Sequence, residues 1–213
     1  MAVRVFNKFH TSGNRSPKML ATVVAMLAWK LSIASIKRMR EAYYDIDVGR
    51  QYYDFVCEFL VFMAHAADRV AYRMLDAEKR MEFTTALAVR LAEMVEESRG
   101  EVLGDAAPGT AYAGLIELFN RRGADYGEYE YGEEKDGGGP SFGFKRMYAA
   151  ALREILPEKD QLWVIDQAMD IEVPEAVKAL NKTMAGLFGG KPTSVQTEAE
   201  RIRAQTSSGM GGE

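Results

Sequence analysis

The sequence has six prolines, and none falls between Pro17 and Pro108. Proline inside a helix removes a backbone donor and clashes with the preceding turn, so this span of about ninety residues is free to be helical. Ser16-Pro17 reads as a helix start: serine caps free N–H groups and proline fits the first turn. From there Leu20, Val23, Val24, Leu27, Leu31, Ile36 and Met39 recur at helical spacing, which predicts a first helix to about Tyr44. Asp45 to Gly49 reads as a turn.

A second helix is predicted from about Arg50 to Leu75. Asp76 caps a third, carrying Met81, Leu87, Leu91, Met94 and Val95, that ends near Gly100. A fourth carries Leu115, Ile116, Leu118 and Phe119 and stops before Gly123. Ser141 caps a fifth, with Phe144, Met147, Leu152 and Ile155. Pro157 and Asp160 open a sixth through Leu162, Trp163, Ile165 and Met169, which Val173-Pro174 breaks. A seventh holds Val177, Leu180, Met184 and Leu187, and Gly189-Gly190 ends it. No alternating strand pattern and no fixed-period repeat is present. The expectation is an all-α fold, a single helical bundle of about six to seven helices with the three long ones first.

Residues 17–190 form that bundle in this reading, between a basic tail (1–16) and a polar, flexible tail (191–213). The segment 123–140, GADYGEYEYGEEKDGGGP, is acidic, rich in glycine and tyrosine, and nearly free of aliphatic side chains. Such a composition buries too little apolar surface to offset the entropy of ordering, so a mobile loop is expected.

Composition enters mainly by exclusion. One cysteine, Cys57, rules out an intramolecular disulfide and any multi-cysteine metal site, and two histidines rule out a site built mainly of imidazoles. A net charge of −4 argues against wholesale nucleic-acid binding. Arg4, Lys8, Arg15 and Lys18 followed by the apolar run from Met19 to Trp29 resemble a signal peptide. Pro17 at its entry, Lys30 directly after it and the continuing basic helix speak against one. A run of about eleven residues also falls short of the ~20 needed to span a bilayer. A cytoplasmic protein with an amphipathic first helix is expected.

Chemistry is concentrated on the second helix. From Phe55 to Ala67 only Glu58 and His65 are strongly polar, so the helix reads as buried on nearly all sides. At 100° per residue Glu58 and His65 lie within ~20° of each other, and Asp54, Arg69 and Tyr72 within ~40° of Glu58. A buried polar stripe of this kind needs partners. In one reading Glu58, His65 and Asp68 hold a divalent metal or a cofactor, as in carboxylate-bridged bundles, some of them oxidoreductases; Glu93, Glu96, Glu97 and Glu117 are candidate further donors. Against it, Glu-x-x-His is absent, and Glu58 and His65 are ~10.5 Å apart along the helix. The simpler reading is a packed network of His65, Asp68, Arg69 and Tyr72 with Asp54, in which Glu58 meets a basic residue from a neighbouring helix.

Elsewhere Cys57 reads as a packed, inert thiol. Tyr126, Tyr129 and Tyr131 with their acids read as a solvated loop without EF-hand spacing, and Gly137 to Gly139 lack the context of a phosphate loop. With no nucleophile–base set in view, the functional expectation is non-enzymatic: a bundle acting as an adaptor or regulator through a protein partner or self-association. Metal or cofactor binding is the alternative. Attachment to a membrane surface through the basic N-terminus and first helix is weaker still.

Overall fold

The computed structural model describes residues 16–102, 107–132 and 139–188. It is an all-α bundle. Its helices are α1 (Pro17–Glu41), α2 (Arg50–Met74), α3 (Ala77–Val102), α4 (Thr110–Gly127), α5 (Phe142–Ile155), α6 (Val164–Gln167) and α7 (Val173–Phe188). A two-residue strand β1 (Tyr131–Gly132) pairs antiparallel with β2 (Gly139–Pro140).

The caps legible in the sequence are in place. Ser16 Oγ accepts from the Met19 N–H at 3.3 Å, Asp76 Oδ1 from the Lys79 N–H at 2.9 Å, and Ser141 Oγ from the Phe144 N–H at 3.4 Å. Each takes up one of the donors a helix start leaves free. The start of α4 is capped from a distance. Gly109 takes a left-handed φ of 83°, and the Glu96 carboxylate of α3 accepts from the N–H groups of Gly109 at 2.6 Å and Tyr112 at 2.9 Å.

The centre of the bundle is α2, which packs against α1, α3, α4, α5 and α7. From Phe55 to Ala67 every residue except His65 is buried. A helix surrounded in this way has no solvent face to keep polar, which explains its unbroken apolar run. Small residues on α1 (Ala21, Ala25, Ala28, Ser32, Ser35) are buried and permit its close, extensive contact with α3. Aromatic rings fill the space between α2, α4 and α5: Phe62 stacks on Tyr148 at 4.8 Å and Tyr126 lies against Phe144 at 4.5 Å.

Three expectations are corrected. First, α4 runs through Gly123 to Gly127, and β1 follows; of the segment expected to be a loop, 123–132, 139 and 140 are placed, while 133–138 lie outside the described residues. Of the two expected tails, 1–16 and 191–213, only Ser16 is among the described residues, and 189–190 at the expected end of the bundle lie outside them as well. Second, the sixth helix does not begin at Pro157. A 3-10 turn (Glu158–Asp160) leads to α6, and Leu162 and Trp163 are exposed rather than in the core. Third, Val173-Pro174 does not break the chain. A five-residue π turn, Ala168–Glu172, joins α6 to α7, and the wider winding accommodates the proline ring at the start of α7.

That π turn carries Glu172 into the core. Its fully buried carboxylate accepts from Arg38 Nη2 at 2.6 Å and Gln167 Nε2 at 3.0 Å. Beside it the Tyr148 hydroxyl and Ser35 Oγ are buried near each other, but not in good hydrogen-bonding geometry, and neither has another partner among the described residues. An unsatisfied buried hydroxyl costs about 1–3 kcal/mol of desolvation. Tyr148→Phe should therefore leave stability unchanged or raise it by about 1 kcal/mol in urea titrations. A loss above about 2 kcal/mol would mean that the hydroxyl is bonded after all.

Candidate functional site

Three side chains four residues apart on α2 reach across to one stretch of backbone. The His65 Nε2–H donates to the Phe119 carbonyl at 3.1 Å. Arg69 Nη2 donates to the carbonyls of Tyr126 at 2.9 Å and Gly127 at 3.3 Å. Arg73 Nη2 donates to the carbonyls of Tyr131 and Gly132. The last carbonyls of a helix lack partners within it and carry its negative dipole end, so a cation there satisfies them and is itself stabilised. This row fastens α4 and β1 to the central helix.

The imidazole of His65 lies flat on Phe119, with centroids 4.4 Å apart and planes 11° apart. It fits because residue 123 is glycine: a Cβ there would stand 3.2 Å from His65 Cε1. Burial pulls the His65 pKa below its ordinary 6.5. The Phe119 hydrogen bond and the Asp68 charge push the other way without offsetting it.

Asp68 faces α3. Arg80 grips it through Nε (2.9 Å) and Nη2, and Thr84 Oγ1 donates to the same carboxylate. Burial raises the Asp68 pKa, but these hydrogen bonds outweigh it and the carboxyl stays below its ordinary range. The Arg80 guanidinium also sits 4.9 Å over the ring of Tyr72. Glu58, 8 % exposed, is held from α4 by Arg122, with Nη2 at 2.7 Å and Nε at 3.1 Å.

The residues of the predicted stripe thus have separate tasks. His65, Asp68 and Arg69 line one cleft of about 540 Å³ between α2, α3 and α4, while Glu58 is tied to Arg122 instead. Asp54 is half-exposed and pairs with Arg50 at 3.6 Å, and Tyr72 is exposed, so neither belongs to a buried network. Among the described residues no three His, Cys, Asp or Glu side chains are grouped to hold a metal ion. Of the further donors considered, Glu96 caps α4, Glu93 and Glu97 pair with Arg90, and Glu117 is exposed. The Cys57 thiol is buried, and burial pushes its pKa up to about 12, which leaves it protonated and unreactive.

Sequence reasoning missed Arg73, Arg80, Thr84 and Arg122. Arg73 had a signal, since it continues the four-residue spacing of His65 and Arg69. The other three lie on α3 and α4, and nothing in their local sequence says which acid they meet. No family model matches the chain, no curated protein matches it, and no solved structure matches it.

Two measurements test this geometry. Arg122→Met should cost about 3–5 kcal/mol, because it leaves Glu58 charged and alone in the core, and adding Glu58→Leu should restore most of the loss. A cost below about 1 kcal/mol for the single variant would show Glu58 to be hydrated. The depressed His65 pKa means that the unfolded chain binds this proton more readily. Its contribution to stability is complete above about pH 6.5 and is lost as the pH falls below that value. The slope of unfolding free energy between about pH 6.5 and 5 should shrink in His65→Asn. An unchanged slope would assign it to other groups.

Proposed function

We propose that the protein is a non-enzymatic helical bundle, cytoplasmic, that acts as an adaptor or regulator by binding another protein through one end of the bundle. The observation that carries this reading is a group of large apolar side chains in two loops fastened to each other. Tyr43 is 93 % exposed and Val48 82 %, in the turn between α1 and α2; Leu162 is 77 % exposed and Trp163 67 %, ahead of α6. The loops are joined by the Asp45 N–H, which donates to Asp160 Oδ2 at 2.8 Å, and by Lys159 Nζ, 2.6 Å from Asp45 Oδ2. Scattered exposed apolar residues are ordinary, but a group held in place at one end marks an interaction surface. Tryptophan and tyrosine dominate the binding energy of such surfaces.

Charge points the same way. Asp47, Glu158 and Asp166 are exposed around this end, whereas Lys159 is paired with Asp45, Arg50 with Asp54 and Lys37 with Glu41. The surface fits a partner with an apolar pocket and a basic rim. Tyr43 has φ 67°, the left-handed residue that ends α1: its N–H donates to the Arg40 carbonyl and the Tyr44 N–H to the Met39 carbonyl, both at 3.0 Å, and its ring is left exposed where glycine is the usual residue.

The test is a photo-crosslinking amino acid placed at Trp163 or Val48 in cells. One discrete product common to both positions, absent from a control at Glu82 and lost with Leu162→Asp, is the expected result. No product at either position, or a homodimer as the only product, would overturn the reading. Tyr43→Gly should stabilise the isolated protein by about 1 kcal/mol while weakening that crosslink.

A second reading rests on α1. Met19, Met26 and Ile33 lie exposed at seven-residue spacing among Lys18, Lys30 and Lys37, with no acid between Ser16 and Arg40. Such a face suits an anionic membrane surface. Among the described residues α1 is also the one helix long and apolar enough to cross a membrane, although 44 % of that window is buried in the bundle. Pelleting with anionic but not neutral vesicles, abolished by Met26→Glu, would support this second reading. No pelleting at low salt would end it.

A further inference from the structure

The cleft between α2, α3 and α4 lies apart from both surfaces considered above, and its charges do not cancel. Among its lining residues the cations are Arg69 and Arg80 and the sole acid is Asp68. With His65 held neutral by burial, one positive charge is left over. Arg80 and Thr84 occupy the Asp68 carboxylate, so it offers little to an incoming cation. Arg69 makes no ion pair among the described residues. Its Nη2 is committed to the carbonyls at the end of α4, which fixes the guanidinium, while its Nε and Nη1 have no hydrogen-bond partner among them. Nη1 of Arg80 is likewise unused.

The rest of the lining is apolar or weakly polar. Met81 is largely exposed at the rim, Phe119 lies beneath the imidazole, and Thr85 offers an exposed hydroxyl. A volume of about 540 Å³ falls within the range of small-molecule sites, which combine apolar walls with a few fixed polar groups. A guanidinium held rigid through Nη2 still offers Nε–H and Nη1–H, which point to opposite sides, so an anionic head such as a carboxylate takes a single charge-assisted bond from one of them rather than two in parallel.

We propose that this cleft binds a small organic carboxylate, its anionic group on Arg69 with Arg80 alongside and its apolar body against Met81 and Phe119. The surplus of a single positive charge favours a singly charged carboxylate over a doubly charged phosphate ester.

The test is calorimetric titration of the full-length protein with hexanoate and with phenylacetate, and in parallel with hexyl phosphate, inorganic phosphate and hexylamine. Saturable binding of a carboxylate in the millimolar range or tighter is expected, with none of hexylamine. Arg69 also supports the fold, so the probing variants are Met81→Glu and Thr85→Glu, which place a negative charge at exposed rim positions. Each should weaken carboxylate binding about tenfold or more while leaving the melting temperature of the free protein unchanged. If either variant lowers that temperature, Met81→Gln and Thr85→Gln serve as uncharged controls that should retain binding. Three results would overturn the proposal: no saturable carboxylate binding, binding indifferent to both glutamates, or tighter binding of hexyl phosphate or inorganic phosphate than of either carboxylate.

Discussion

The interaction on which the lower half of the bundle depends is the row of donors that α2 offers to the backbone between residues 119 and 132. His65, Arg69 and Arg73 recur at one side-chain position per helical turn; His65 donates to the Phe119 carbonyl inside α4, and the two arginines capture carbonyls that the end of α4 and the strand after it leave free. The segment involved has few aliphatic side chains with which to hold itself in place. Hydrogen bonds from cations to helix-terminal carbonyls are stronger than those between neutral groups. They substitute here for hydrophobic burial and put Tyr126 and Tyr131 against Phe144. The same commitment of Arg69 shapes the cleft beside it.

Two buried carboxylates illustrate how the core handles charge. Glu58 and Glu172 each meet one arginine from another helix, Arg122 of α4 and Arg38 of α1. Burying an ion pair costs much of what the attraction returns, so neither pair is strong evidence for stability. Their effect is on register. An α4 shifted by one residue would turn Arg122 by about 100° away from Glu58, and a buried acid would be left alone.

What the sequence made legible was whatever is decided locally. Ser16, Asp76 and Ser141 act within three residues of themselves, and their caps are where the sequence puts them. The burial of α2 follows from its apolar run. The ordering of Gly123 to Gly132 was not legible, because arginines about sixty positions earlier bring it about. Glu96 resembled a free donor on a helix surface, yet it caps a helix whose start lies beyond Pro108. Leu162 and Trp163 matched a core pattern in spacing, and only the 3-10 turn before them shows that they face water. In the site, His65, Asp68 and Arg69 line one cleft, and each bonds to a different partner. Glu58 went elsewhere because periodicity gives the direction of a side chain but not the identity of what packs over it.

The π turn between α6 and α7 has a consequence for how those two pieces relate. A wider turn takes up one more residue than an α-helical one, so the segments on either side run on without a break but differ in phase by about 100°. The chain ahead of it sends Trp163 outward and Val164 inward, and the chain behind it sends Val177 and Leu180 inward. Removing a single residue from 168–171 would leave an unbroken helix in which one half is turned by about 100° away from the core. The extra residue therefore acts as a spacer that keeps Val164 and Ala168 on one side of it and Val177 and Leu180 on the other all turned to the core.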